Sequence, residues 1–270
     1  MDPIIIIRGG GDIASGVALR LHRSGFRVVI LELEQPLSVR RTVSFSEAIY
    51  TGQTFVEEVK ARKIKSFDEI PNLFLNNEIP IMVDENLSII SMDKSYFPVL
   101  IDARMNKKPP EINYIKTFPL VIGIGPGFSA GTDCNVVIES SRGHFLGHVY
   151  RKGSALSDTG KPAGDPNRIL RAPINGIIIT KAEIGDFLNS GQLIATIDDQ
   201  HIIAPFTGLL RGLIHSGLHV QKGTKIGDMD HNTNIDLVHY ASDKAMAIGG
   251  SVLEIILSDT NILPTQKKLT

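Results

Sequence analysis

Short apolar runs separated by glycine, proline and acidic residues dominate the first half of the chain. Ile4–Ile7 is a continuous run of β-branched residues, which fits a strand buried on both faces. Three glycines follow, and then Ile13, Val17 and Leu21 recur every fourth residue, giving one apolar helix face. Gly25 stands where that helix must stop, and RVVILEL (27–33) reads as the next strand. Further runs at 79–85, 97–104, 118–127 and 134–140 have the same character. A parallel pair with a helical crossover needs this order of strand, glycine loop, helix and strand. The expected architecture of this half is a Rossmann-like, mostly parallel α/β sheet.

A different pattern begins near residue 172. Ala172-Pro173 returns as Ala204-Pro205, an offset of 32 residues, and the same offset relates Gly176 to Gly208, Gly185 to Gly217, Gly191 to Gly223 and Asp198 to Asp230. Glycines and prolines repeating in one register imply repeated turns. The strands GIIIT, QLIATI, GLLRGLI and TKIGDM lie between those turns. Two such units interlocked by a pseudo-twofold predict an all-β barrel-sandwich hybrid, shaped like a lipoyl or biotinyl carrier. The tip of its hairpin, IDDQHIIAP (197–205), holds Gln200 and His201 and no lysine, so neither lipoyl nor biotin is expected. The expected division is therefore 1–165 (nucleotide or cofactor binding), 166–232 (the duplicated unit), 233–258 (a helix returning to the first domain) and 259–270 (a frayed tail). That helix begins at a cap-like Ser242, and Gly249 and Gly250 weaken it unless it packs closely.

Composition narrows the field. The 270 residues carry a formal net charge of −1, which argues against nucleic acid or an anionic membrane as partner. One cysteine, Cys134, excludes an intrachain disulfide and suits a cytoplasmic setting. The N-terminal apolar run is too short for a signal or a membrane span. A homo-oligomer is left open.

Candidate chemistry gathers at the strand ends. Gly9, Gly11 and Ala14 match G-x-G-x-x-A, and Glu32 closes the second strand where an acid would hold a ribose hydroxyl. Gly10, Asp12 and Ile13 complete that lining, although the Asp12 carboxylate opposes a pyrophosphate. Gly125 and Gly127 belong to a second glycine loop, which serves either as part of a crevice or as a tight turn. Arg40 and Arg41 suit a phosphate or carboxylate, or equally a solvated edge. Asp102, His144 and Cys134 are the catalytic candidates, each with a structural alternative. Metal-ligand motifs, hydrolase elbows and Walker A sequences are absent, so no metal is expected.

Taken together, IRGGGDIASGVALRLHRSGFRVVILELEQP, VRRTVSFSEAIYTG, VIGIGPGFSAGTDCNVVIESSRGHFLGHV and the duplicated unit ending in KIGDMD resemble the YqeB-like proteins across about residues 4 to 257. His148 stands where that pattern has a basic residue. The resemblance implies an accessory role in maturing a selenium-dependent molybdenum hydroxylase, with that hydroxylase as client partner. It also implies a nucleotide-bearing ligand such as molybdopterin dinucleotide. An NAD(P)-dependent oxidoreductase and a non-catalytic scaffold are the alternatives, and whether the chain is an enzyme stays open.

Overall fold

The computed structural model describes residues 3–91, 96–160 and 164–258. The tail at 259–270 lies outside the described residues. The first half contains β1 (Ile4–Arg8), α1 (Asp12–Arg23), β2 (Arg27–Glu32), α2 (Glu47–Thr51), β3 (Gln53–Val56), β4 (Val59–Lys63), α3 (Ile70–Leu75) and β5 (Ile79–Val83). It continues through β6 (Val99–Asp102), β7 (Leu120–Ile124), β8 (Ser129–Ala130), β9 (Val136–Ile138), β10 (Val149–Tyr150) and β11 (Gly153–Ser154).

Nine of these strands form one sheet, in the order β10-β9-β7-β6-β1-β2-β5-β4-β3. The interior is parallel, but β3 and β10 close its two edges antiparallel. Registers align Ile7 with Ile30 on one side and Ile101 on the other, and Ile101 with Ile122. Alternation then splits each strand between two cores. Ile5 and Ile7 face α1, and Ile4 and Ile6 face the opposite layer. A fully buried isoleucine contributes about 1.5–3 kcal/mol, so such rows hold the sheet between its two covers.

This corrects the expected Rossmann-like architecture. The nine strands form one large mixed sheet, parallel in its interior and antiparallel at both edges, and not a Rossmann-like one. Only one face carries long helices, and the other is covered by α3, short 3-10 turns and the aromatic loop containing Tyr114 and Phe118. The physical reason is visible in the segments between strands. The stretch 103–119 has Asn, Lys, Pro and Glu where a crossover helix would need an apolar stripe. The hairpin of β3 and β4 inserts a strand that a βαβ repeat does not contain.

α1 is clasped between the sheet and α4 (Asp243–Leu257), and the helices cross at glycines. A Cβ on Gly16 would lie 2.6 Å from the Ala245 Cβ, and one on Gly249 would lie 2.6 Å from the Gly16 carbonyl oxygen. Gly249 therefore permits contact that a larger residue forbids. The Ser242 hydroxyl caps α4 by accepting from the Ala245 N–H.

The second half holds β12 (Ile169–Arg171), β13 (Gly176–Thr180), β14 (Phe187–Leu188), β15 (Leu193–Ile197), β16 (Gln200–Ile203), β17 (Gly208–Leu213), β18 (His219–Val220) and β19 (Lys225–Asp230). The expected barrel-sandwich hybrid is corrected too. The strands form two small antiparallel sheets, β12-β19-β17-β14 and β16-β15-β13-β18. Replacing each strand by its counterpart 32 residues away converts one order into the other. Gly185 and Gly217 both adopt positive φ (105° and 84°), as do Gly191 and Gly223. The core of this unit is not its own, because Val39 and Tyr50 from the first half pack into it. The Arg41 guanidinium donates to the Leu213 carbonyl at 2.7 Å, and His215 meets Glu47 at 2.8 Å.

Candidate functional site

The carboxyl ends of β1, β6, β7 and β9 converge on one cleft. The glycine loop occupies its centre and is held by backbone bonds. Gly9 donates to Leu31, and the Gly10 carbonyl accepts from the Ser46 N–H at 2.8 Å and the Ser15 hydroxyl at 3.1 Å. Ser15 in turn accepts from the Phe45 N–H. Gly9 needs its freedom, with φ +94° against the backbone of Ala103 and Arg104. Gly11 has ordinary φ and caps α1 without a side chain.

Glu32 sits beside the loop. Its carboxylate accepts from the Gly10 N–H at 2.6 Å and the Leu33 N–H at 2.8 Å. Burial raises its carboxyl above the ordinary range, against those two donors. Each oxygen retains a lone pair after these bonds, so a ribose hydroxyl still has an acceptor here.

Two cavities adjoin at the loop and share Asp12, Ile13 and Met105. The smaller, about 380 Å³, is bounded by Gly9, Gly11, Glu32, Pro36, Ser38 and Arg104. The larger, about 760 Å³, opens between the first half, β12–β19 and the start of α4. Both volumes suit small-molecule sites. Eight cationic side chains and five carboxylates line the larger one, so its walls carry net positive charge in a chain of net charge −1.

Asp228 organises its floor. The side chain is 2% exposed and lies 2.5 Å from Arg168 and 2.7 Å from Arg211, which also reaches Asp230 at 2.7 Å. Burial alone would raise this carboxyl, but Lys225, Arg211 and Arg168 together hold it below the ordinary carboxylate range. On the rim, Arg142 makes a two-pronged pair with Asp243.

The sequence-predicted residues divide accordingly. Gly9, Gly11, Asp12, Ile13 and Glu32 all border the cleft, whereas Gly10 is turned into the Ser46 backbone. Arg40 reaches the larger cavity, but Arg41 is used in joining the halves. Gly125 and Gly127 serve packing: a Cβ on either would fall about as close as 2.5–2.6 Å to Lys108 or Ser140, and only Pro126 of that loop lines the cavity. Asp102 is consumed by Arg8 and Arg104. Cys134 is fully buried and pushed up to about 12 by burial, the state of a small inert core residue. His144 is exposed and outside both cavities. Sequence reasoning missed Arg142, Arg168, Arg211, Lys225 and Lys244. A signal existed for two of them in the repeat: Ile179 and Leu193 of the first copy become Arg211 and Lys225 in the second.

Among the described residues, no group of three or more His, Cys, Asp or Glu side chains is placed to hold a metal, and no helix is long and apolar enough to cross a membrane.

Fold and site define an α/β protein with a glycine-loop cleft roofed by a small β unit. No family model matches the chain. It is 42% identical over 258 residues, 94% of its length, to the uncharacterized protein YqeB of Escherichia coli (strain K12), and spans 47% of that relative. This supports kinship with YqeB-like proteins over the half of that relative the chain spans. Solved structures offer only remote likeness. An aspartoacylase family protein of Mesorhizobium loti gives a TM-score of 0.25 at 9% identity, covering 84% of each chain. The ectoine utilization protein EutE of Ruegeria pomeroyi gives 0.26 at 12%, covering 84% of this chain and 85% of that one.

Proposed function

We propose that the chain binds a nucleotide-bearing ligand across the two cavities and acts as an accessory factor in maturing a selenium-dependent molybdenum hydroxylase. The observation supporting the binding is the junction at the glycine loop: an acid able to take a ribose hydroxyl on one side, and a cationic cavity on the other. A molybdopterin dinucleotide has the corresponding parts, with a nucleoside joined to a pyrophosphate, and NAD(P) has them too. The maturation role is supported by the resemblance to YqeB-like proteins. No acid–base pair faces either cavity among the candidates, so the oxidoreductase reading gains no observation in its favour.

Titration calorimetry with nucleosides, nucleotides, NAD(P)H and molybdopterin dinucleotide tests the binding. Gly11→Asp is a clean probe. A Cβ there meets only the Ser38 hydroxyl, at 3.5 Å, and aspartate is a good helix cap, so the fold should survive while a carboxylate enters the cleft. Loss of binding in that folded variant is expected. Failure of the wild type to bind any of these compounds overturns the ligand claim. Co-expression with a selenium-dependent molybdenum hydroxylase tests the role, which fails if the client's activity is the same without this protein.

A further inference from the structure

Arg40 is a buried cation with spare capacity. Its residue is 8% exposed, its Nη2 reaches the carbonyls of Leu237 at 2.7 Å and Tyr240 at 3.5 Å, and its buried Nε has no partner among the described residues. Arg211, on the β unit, pairs with Asp228 and Asp230, and its buried Nε has no partner among the described residues. Lys244 lines the same cavity with no ion pair among the described residues, and there Lys225 has Asp228 at 3.9 Å. Asp12 is the carboxylate whose field reaches Arg40, Lys225 and Lys244 alike. Most other charges around the cavity are already matched. The lining holds more cations than carboxylates around a space of about 760 Å³, an imbalance that a bound anion would offset.

The geometry points to a polyphosphate subsite in the larger cavity, formed by Arg40 and Lys244 of one wall and Arg211 and Lys225 of the other. The inference rests on the nucleotide reading above but goes beyond it. It places the charged part of the ligand against these cations, with Asp12 as the carboxylate on the same cavity that opposes it, and requires a chain carrying at least two negative charges. Cations from both halves would grip the same anion, so binding should also strengthen the joint between them. The chain of phosphates is recognised by charge and by Nη and Nζ donors, whether free or attached to a nucleoside.

Calorimetry with pyrophosphate and tripolyphosphate, and separately with nucleosides and nucleoside mono-, di- and triphosphates, tests the subsite. Binding should strengthen at least tenfold from mono- to triphosphate and weaken as salt rises. Lys244→Gln and Lys225→Gln should each weaken tripolyphosphate binding about tenfold. Asp12→Asn should strengthen it several-fold, a change that a merely damaged fold cannot produce. The subsite is overturned if folded protein binds neither pyrophosphate nor tripolyphosphate at low salt, or if all three variants bind as the wild type does. Nucleoside binding that persists in that case leaves the nucleotide reading standing. Polyphosphate binding without any nucleoside contribution sinks that reading alone.

Discussion

At the scale of single residues, the most demanding positions are buried polar ones. Asp228 pairs with Arg168 and Arg211 in a site 2% exposed. Removing one member of a buried cluster leaves uncompensated charge, so Asp228→Ala should cost about 3–5 kcal/mol in urea denaturation. The pH dependence follows from the depressed folded-state carboxyl. Asp228 stabilises the protein fully above its ordinary value of 3.8, and the contribution is lost as pH falls through the lower folded value. The stability gap between wild type and Asp228→Asn should therefore be wide at pH 7 and shrink in strong acid. A gap constant with pH contradicts this. Cys134 gives a second test. Buried and held up to about 12, it should resist a thiol reagent at pH 8 until denaturant is added. Rapid labelling of the native protein would contradict the buried position.

At the scale of elements, the contact of α1 and α4 is set by two glycines. With a Cβ at Gly16 or Gly249 already inside 3 Å of backbone or side-chain atoms, Gly16→Val or Gly249→Val forces the helices apart. Overpacking of this kind costs about 1–3 kcal/mol, measured as a shift in urea midpoint. Gly250, whose Cβ would meet open space, is the control that should cost far less. Much at this scale was legible in sequence. The runs at 4–7, 27–33 and 118–127 are strands because β-branched residues without polar interruption have no other way to be buried. Ser242 and the spacing after it marked α4. The hairpin 53–63 was not legible, because QTFVEEVKARK is half charged and its pairing depends on β5 lying beside it.

At the scale of the molecule, the segment 38–50 ties everything together. Val39 and Tyr50 enter the core of the β unit, Phe45 and Ile49 enter that of the large sheet, and Ser46 holds the glycine loop. Two halves that share core residues should unfold in one calorimetric transition, with calorimetric and van't Hoff enthalpies in agreement. Two separated transitions would show that each half stands alone. Arg41→Ala should uncouple them, because its guanidinium reaches across to the Leu213 carbonyl.

The candidate site shows the limit of reading a chain in one dimension. Gly9, Gly11 and Glu32 announced themselves because a strand, a tight loop and a helix are local events with local spacing. The arginine pair reads equally as an anion site or a solvated edge, yet folding sends Arg40 to the cavity and Arg41 to the joint. Neighbouring side chains diverge once the backbone turns between them. The glycines of the second loop read equally as a crevice or a turn, and the approach of Lys108 and Ser140 decided for the turn. The sequence by itself determined the apolar strands, the caps, the glycine loop and the 32-residue repeat, all of which depend on residues near one another in the chain. Tertiary structure alone decided that the sheet is mixed at its edges, that its second face is covered by loops, and that Arg40, Arg211, Lys225 and Lys244 meet around one cavity. Those outcomes depend on contacts between residues as much as two hundred positions apart, and no local pattern of charge or hydrophobicity carries that information.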